Sequence, residues 1–198
     1  MMLGARTRVL LELGSGYGRD AVFFARHGFR VQGVELALET GQVGAPRSMG
    51  GEGSFALVPG DAQSFLERQP AHSADAVYSH LFYNMDFTAP EHRELFRSVW
   101  RVLRPGGLHL YSVRSTRDPW FGRGRSKGKD RYEIEPGGIT LHFFSRAYAD
   151  RVGSARFSPV ARAEAREGKS DFPVRLLYVV DRARGARASV RNRRARAL

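Results

Sequence analysis

The stretch from Arg8 to Glu35 limits the folds open to this chain more than any other. An apolar run, Arg8–Leu13 (RVLLEL), breaks at Gly14-Ser15-Gly16-Tyr17-Gly18, and glycines so closely spaced mark a sharp turn. Residues 20–27 then set Ala21, Phe24 and Ala25 at helical spacing, with Gly28 just past the last turn. Phe29–Glu35 (FRVQGVE) follows as a second strand with apolar positions 29, 31 and 34. Strand, helix and strand within about 30 residues make a βαβ unit, which predicts a parallel sheet with a right-handed crossover.

The alternation continues. Residues 36–42 suit a short helix, 45–53 a glycine-containing loop, and 55–59 a third strand leading into Gly60-Asp61-Ala62. A short helix over 64–68 precedes a fourth strand at 74–79 (ADAVYS). Thr88-Ala89-Pro90-Glu91 has the form of a capping box with proline in the first turn. The helix it opens runs to about Leu103, and Pro105-Gly106-Gly107 turns the chain into a fifth strand at 108–113. Residues 114–138 are rich in glycine and charge and show no period. Residues 139–144 are apolar, and Ser145 is placed to cap a helix over 146–152. Two late strands, 160–166 and 174–180, are joined by a turn around 168–173, hence antiparallel.

Composition narrows the function classes. With 198 residues, 42% hydrophobic and 26% charged, the chain suits one globular domain. It has no cysteine, which excludes disulfides, thiolate metal centres and a cysteine nucleophile. No apolar run approaches the ~20 residues of a membrane span, and residues 1–8 lack the apolar stretch of a signal peptide. The expectation is a soluble cytoplasmic protein without membrane contact. The net charge of +12 is uneven: residues 182–198 hold seven arginines and no acid. The division is therefore a domain at 1–181 and a basic, low-complexity tail at 182–198, expected to be disordered.

The glycine turn suits backbone approach to a ligand beside a helix N-terminus. A dinucleotide fingerprint would need its third glycine at position 19, which is Arg19, and no Walker pattern occurs. Glu12 beside the turn favours a ligand carrying a cationic group over a pyrophosphate, because like charges repel. Glu35, at the expected carboxyl end of the second strand, is placed to accept hydrogen bonds from a ribose diol.

Together these residues resemble the class I S-adenosylmethionine-dependent methyltransferases. The likeness comprises E-x-G-x-G-x-G at 12–18, the acid at 35, Gly60-Asp61-Ala62, Asp75-Ala76-Val77 opening the fourth strand, and Leu103-Arg104-Pro105-Gly106-Gly107 before the fifth. It covers roughly residues 8–115 and is most similar to the small UbiE-like and TehB-like enzymes, whose relatives carry a stretch like His142–Ser145. The fold this implies is α/β: a Rossmann-like, doubly wound, mostly parallel seven-stranded sheet with a C-terminal antiparallel hairpin. The implied cofactor is S-adenosylmethionine, leaving as S-adenosylhomocysteine. Glu12 would bind the methionine ammonium, and Gly14, Ser15 and Gly16 would offer backbone to the methionine portion. Glu35 would hold the ribose, Leu36 could pack on the adenine face or belong to the core, Asp61 would accept from the adenine amino group, and the Ala62 N–H would meet a ring nitrogen.

The resemblance implies methyl transfer to a small-molecule O, S or N nucleophile without a metal. Ser79, His80 and Tyr83 follow the fourth strand, where ligands of open α/β sheets lie. His80 is the candidate base, since an imidazole takes up protons near neutrality; a structural histidine is the alternative. Asp86 and His142 stand in reserve. Residues 120–132 carry five basic residues and one acid, as a lid, a phosphate-contacting loop, or a solvated excursion. Rival readings are an RNA or ribosomal methyltransferase that uses this loop and the tail to grip nucleic acid, which is not favoured, and a non-catalytic cofactor binder. A monomer or homodimer is expected. Only residues 1–7 precede the first strand, where family members usually carry helices that cover the cofactor.

Overall fold

The computed structural model describes residues 8–38, 47–48, 53–135, 137–169 and 172–185. Strand β1 (Arg8–Leu13), helix α1 (Arg19–Arg26) and strand β2 (Phe29–Glu35) form the first βαβ unit, with β1 and β2 parallel and in register from Arg8–Phe29 to Leu13–Val34. A two-residue strand β3 (Arg47–Ser48) lies antiparallel to β4 (Ser54–Pro59), which pairs in parallel with β2. Helix α2 (Ala62–Arg68), strand β5 (Ala74–His80), helix α3 (Ala89–Val102) and strand β6 (Leu103–Arg114) complete the parallel part. Beyond it come β7 (Arg125–Gly128), β8 (Arg131–Ile134), β9 (Ile139–His142), helix α4 (Arg146–Gly153), β10 (Phe157–Lys169) and β11 (Phe172–Ala183).

The main sheet runs β10-β11-β6-β5-β1-β2-β4-β3. Seven of these are the expected strands, and β3 adds two residues at the edge. Connections from β1 lead outward through β2, while β5 returns on its other side, so the order reverses between β1 and β5. In such sheets the crevice beyond the strand carboxyl ends, at that reversal, is where ligands sit.

Alternation along the strands divides the core between two faces. Leu10, Val31, Phe55 and Ala76 pack beneath Ala21 and Ala25 of α1. On the other face Leu11, Leu13, Val77, Val113 and Leu177 meet α2, α3 and α4 through Phe65, Phe96, Val99 and Ala149. The capping box at Thr88 is formed, with Thr88 N–H donating to Glu91 Oε2 at 2.6 Å and Pro90 in the first turn.

Three expectations change. Residues 114–138 are not without regular structure: β7 and β8 join β9 in a three-stranded antiparallel sheet. Phe121, Tyr132 and Phe143 hold it by edge-to-face contacts 5.4–6.1 Å apart. The late hairpin is longer than its apolar centre suggests, at 13 and 12 residues. Of the short helix expected at 36–42, residues 36–38 form a turn and an unstructured residue; the remainder, like most of the loop at 45–53, residues 1–7 and the tail from 186, lies outside the described residues.

Candidate active site

Beyond the end of β1 the chain reverses through Gly14–Gly18, with the N–H groups of Gly14 and Ser15 both donating to Val34 O at 2.9 and 3.0 Å. Gly14 and Gly16 take φ of +67° and +51°, which disfavour side chains. A Cβ on Gly14 would lie 3.0 Å from the Phe82 ring, whereas one on Gly16 would meet nothing within 4 Å. The backbone at Gly16 is thus open to a ligand.

Glu35 ends β2 and folds back over this turn. Its Oε2 accepts from Gly16 N–H at 3.0 Å and its Oε1 from Ala37 N–H at 3.2 Å, leaving each oxygen a further lone pair. Asp61 caps α2, its Oδ1 accepting from Ser64 N–H at 2.8 Å. The Ser64 hydrogen bonds hold the Asp61 carboxyl below its ordinary range. The Ala62 N–H, in the first turn of α2, has no intrahelical acceptor. Gly14, Glu35, Leu36, Asp61, Ala62 and His80 all line one cavity of about 570 Å³. Leu36 is 76% exposed, an apolar face without a protein partner on most of its surface.

Glu12 and Ser15 lie beneath the turn rather than in the cavity wall. Glu12 is only 2% exposed, sits between Gly33 and Tyr78 in the sheet register, and has no partner for its Oε2. Burial, helped by the Asp20 carboxylate and opposed by Arg19, pushes its carboxyl up to about 8. The Ser15 hydroxyl is also buried and unpartnered. Two buried polar atoms, Glu12 Oε2 and Ser15 Oγ, thus stand at the glycine turn without a hydrogen-bond partner among the described residues.

His80, at the end of β5, is half-buried, and its Nδ1 lies 2.6 Å from Ser112 Oγ on β6. That contact leaves Nε2 as the nitrogen available to a ligand. The next residue, Leu81, adopts φ of +59°, a conformation that costs a side-chain-bearing residue energy and recurs at functional sites.

Ser79 and Tyr83 require correction. Ser79 is fully buried inside the sheet, in register with Leu13 and Tyr111, and does not line the cavity. Tyr83 is equally buried, with its hydroxyl 2.9 Å from His109 Nε2 and its ring among Phe96, His109 and Tyr111. Burial drives its phenol well above the ordinary value. It is a core residue. Of the reserves, Asp86 pairs with Arg131, and His142 is buried with Nδ1 on Phe87 O at 2.9 Å.

Sequence reasoning missed the far wall, made of Phe82, Met85, Phe87 and Leu95 with Glu91 and Glu94 at its rim. Residues 81–87 have no period, and only the capping box after them signals that the loop is pinned. The basic segment is less free than its composition suggests: Arg125 and Lys127 pair with Glu133. Among the described residues no three His, Asp or Glu converge as metal ligands, and no helix is long and apolar enough to cross a membrane.

Residues 10–107 match the family described as a methyltransferase domain. An uncharacterized methyltransferase of Mycobacterium marinum is 33% identical over 115 residues, 58% of this chain and 42% of that protein. One from Mycobacterium leprae is 32% identical over 115 residues, covering 58% and 40%. The chain thus spans about two-fifths of these curated relatives. Among solved structures, an S-adenosylmethionine-dependent methyltransferase of Methanosarcina mazei superposes with a TM-score of 0.77 at 14% identity, over 92% of this chain and 95% of that one. The 1,6-didemethyltoxoflavin-N1-methyltransferase of Burkholderia thailandensis, solved with S-adenosylhomocysteine, gives 0.67 at 19% identity over 91% and 72%. A cyclase shares the fold at 0.64 and 15% identity, over 93% of this chain and 78% of that one, so the reaction has to be read from the residues.

Proposed function

We propose that this chain, whose residues 10–107 match a methyltransferase-domain family and whose fold is shared with S-adenosylmethionine-dependent methyltransferases, is a class I enzyme of that kind, binding S-adenosylmethionine across the Gly14–Gly18 turn and transferring the methyl to a small-molecule O, S or N nucleophile. The observation that carries this reading is the convergence of Gly14, Glu35, Asp61 and Ala62 on one cavity, with the buried Glu12 Oε2, which has no hydrogen-bond partner among the described residues, at the adjoining turn. The residues fit the ligand. Glu35 offers a lone pair on each oxygen to a diol, while Asp61 and the Ala62 N–H offer an acceptor and a donor to an adenine edge, with Leu36 against its face. Glu12 offers a buried acceptor to an ammonium. When bound, the cofactor supplies a methyl already activated by its sulfonium.

The protein then has to align and to dry the site. The apolar wall of Phe82, Met85, Phe87 and Leu95 suits a compact acceptor and excludes water. In the transfer the acceptor would gain the methyl, the electron pair of the broken bond would stay on the cofactor's sulfur, and the chain's part would be to hold the acceptor and take its proton on a base. His80 is that base. Its Nδ1 is engaged with Ser112 Oγ at 2.6 Å, and the tautomer with the proton on Nδ1 leaves the lone pair on Nε2 for the acceptor's proton. The 1,6-didemethyltoxoflavin bound by the Burkholderia thailandensis neighbour supports the small-molecule reading. The internal ion pairs of Arg125, Lys127 and Arg131 take support away from an RNA substrate gripped by that segment.

Calorimetry with S-adenosylhomocysteine tests the cofactor assignment. Saturable binding is expected for the unaltered chain and none for Gly16→Arg, whose side chain occupies the open space above the turn. Absence of binding to the unaltered, folded chain would refute the reading. His80→Ala should lower turnover about 100-fold or more while leaving that affinity within about twofold; an unchanged rate retires His80 as base, and binding without turnover across acceptors marks a non-catalytic binder.

A further inference from the structure

A second cavity, of about 230 Å³, lies at the β6–β11 side of the sheet and is lined by Arg117, Pro119, Arg166, Pro173, Val174 and Arg175. Its lining includes three arginines and no acidic residue. The arrangement follows from strand register. Strand β11 pairs with β6 only from Leu176, opposite Arg114 at the end of β6, so the β10–β11 hairpin overhangs the sheet beyond that point. The first hairpin pair in the overhang is Arg166 opposite Arg175. Directly opposed residues have Cβ atoms about 5 Å apart, and like charges there destabilise the pairing.

Two carboxylates nearby are already committed. Asp118 is buried, pairs with Arg114 at 3.1 Å, and accepts from the N–H groups of Trp120 and Arg175 at 2.9 Å. Glu164 is shared between Arg117 and Arg146, at 3.4 Å from each. Among the described residues neither Arg166 nor Arg175 has a carboxylate partner for its side chain. The hairpin thus brings together two like charges that no described carboxylate neutralises, beside Arg117, which has only a share of Glu164.

We propose that Arg117, Arg166 and Arg175 form a binding site for a phosphate-type oxyanion. Three forks arriving from three segments, the turn after β6 and each arm of the hairpin, match a tetrahedral anion with several acceptor oxygens better than a carboxylate, which one fork satisfies. The site is on the carboxyl edge of the sheet. Counting two strand spacings from β5 to β11 and three residues along β11 puts the Arg175 backbone roughly 14 Å from that of His80. A ligand held there reaches toward the cavity of the methyl-transfer site, although the anion site stands independently of that function.

The test is a phosphorus NMR titration of the full chain at low ionic strength with inorganic phosphate and with glycerol 3-phosphate. Saturable binding is expected, weakened about tenfold or more in Arg166→Gln and Arg175→Gln and unchanged in Lys129→Gln. Tighter binding of glycerol 3-phosphate assigns the site to a phosphate carried on a larger ligand; equal binding assigns it to the free ion. Arg166→Glu places a carboxylate opposite Arg175, so it should abolish binding while raising the melting temperature, a combination that loss of folding cannot produce. Calorimetry with S-adenosylhomocysteine should be the same in Arg166→Gln as in the unaltered chain, which keeps the two sites separable. No saturable binding of either phosphate, or full binding by Arg166→Glu, overturns the proposal.

Discussion

Glu12 bears an electrostatic cost that an arriving ligand can relieve. Its carboxyl titrates at about 8 in the folded chain against an ordinary 4.5 because burial penalises the anion, with Asp20 adding repulsion. Between those values the folded chain holds a proton that the unfolded chain has released. Stability therefore falls as pH rises from about 4.5 to about 8 and is level beyond. Glu12→Gln keeps the shape and cannot ionise. At about 1.4 kcal/mol per pH unit over that interval, urea unfolding at pH 8 should find it more stable by about 4 kcal/mol, with little difference at pH 4. Its affinity for S-adenosylhomocysteine should nevertheless fall about tenfold or more, as expected for loss of a charge-assisted hydrogen bond. An ammonium above the turn favours the ionised form, so the unaltered chain should release a proton on binding at pH 7. Calorimetry in buffers of different ionisation enthalpy measures that proton. An unchanged affinity in Glu12→Gln would remove Glu12 from the site.

The loop between β5 and α3 shows how elements set what single residues do. Leu81, at φ +59°, turns the chain so that Phe82 faces the cavity and Tyr83 the core. Distance from a strand end does not reveal such a turn, which is why Tyr83 is misplaced when read from sequence. Buried histidines fasten the loop from behind. His92 of α3 meets Tyr83 O at 2.7 Å and the Tyr148 hydroxyl of α4 at 2.9 Å. His109 of β6 meets the Tyr83 hydroxyl. Burial lowers His92 to about 4, helped by His142, and lowers His109 to about 3, helped by Arg162. Both are neutral when folded, whereas the unfolded chain takes up protons below about 6.5. The stability they allow is present above that pH and is lost as pH falls toward 4. Two such groups give a slope of about 2.7 kcal/mol per pH unit between about pH 6 and 4.5. His109→Phe titrates one group fewer, so chemical unfolding against pH should show that slope reduced by about 1.4 kcal/mol per unit. Thr88→Ala loosens the same loop from the front: losing the cap should cost about 1 kcal/mol, read as a lower urea midpoint at constant m-value.

Across the whole molecule, what can be read from sequence is what local chemistry decides. β1 and β2 are legible to the residue because β1 runs into Gly14 and β2 starts just after Gly28, and α3 because Thr88 and Glu91 announce its start. Glu35 and Asp61, whose ligand roles are proposed above, stand out in sequence because Glu35 ends β2 and Asp61 follows β4, both at the carboxyl side of parallel strands. β7 and β8 are not, since two four-residue strands, RSKG and RYEI, are too short to show a period and gain order from β9 and the rings of Phe121 and Phe143. The cavity's far wall is illegible for the same reason: it is assembled by pairing and packing between distant segments. The two halves of the site should nonetheless respond as one folding unit. A ligand bound only by the folded chain stabilises it by about 2.7 kcal/mol at 100 times its dissociation constant. For a chain of 198 residues that is a rise of roughly 5–10 °C in melting temperature. S-adenosylhomocysteine should produce this shift in the unaltered protein, a smaller one in Glu12→Gln at the same concentration, and none in Gly16→Arg. Gly16→Arg is itself expected to lose about 1–2 kcal/mol to its left-handed backbone, so its lowered baseline must stay fixed as ligand is added. A ligand-dependent rise in Gly16→Arg equal to that of the unaltered chain would move the binding site away from the glycine turn altogether.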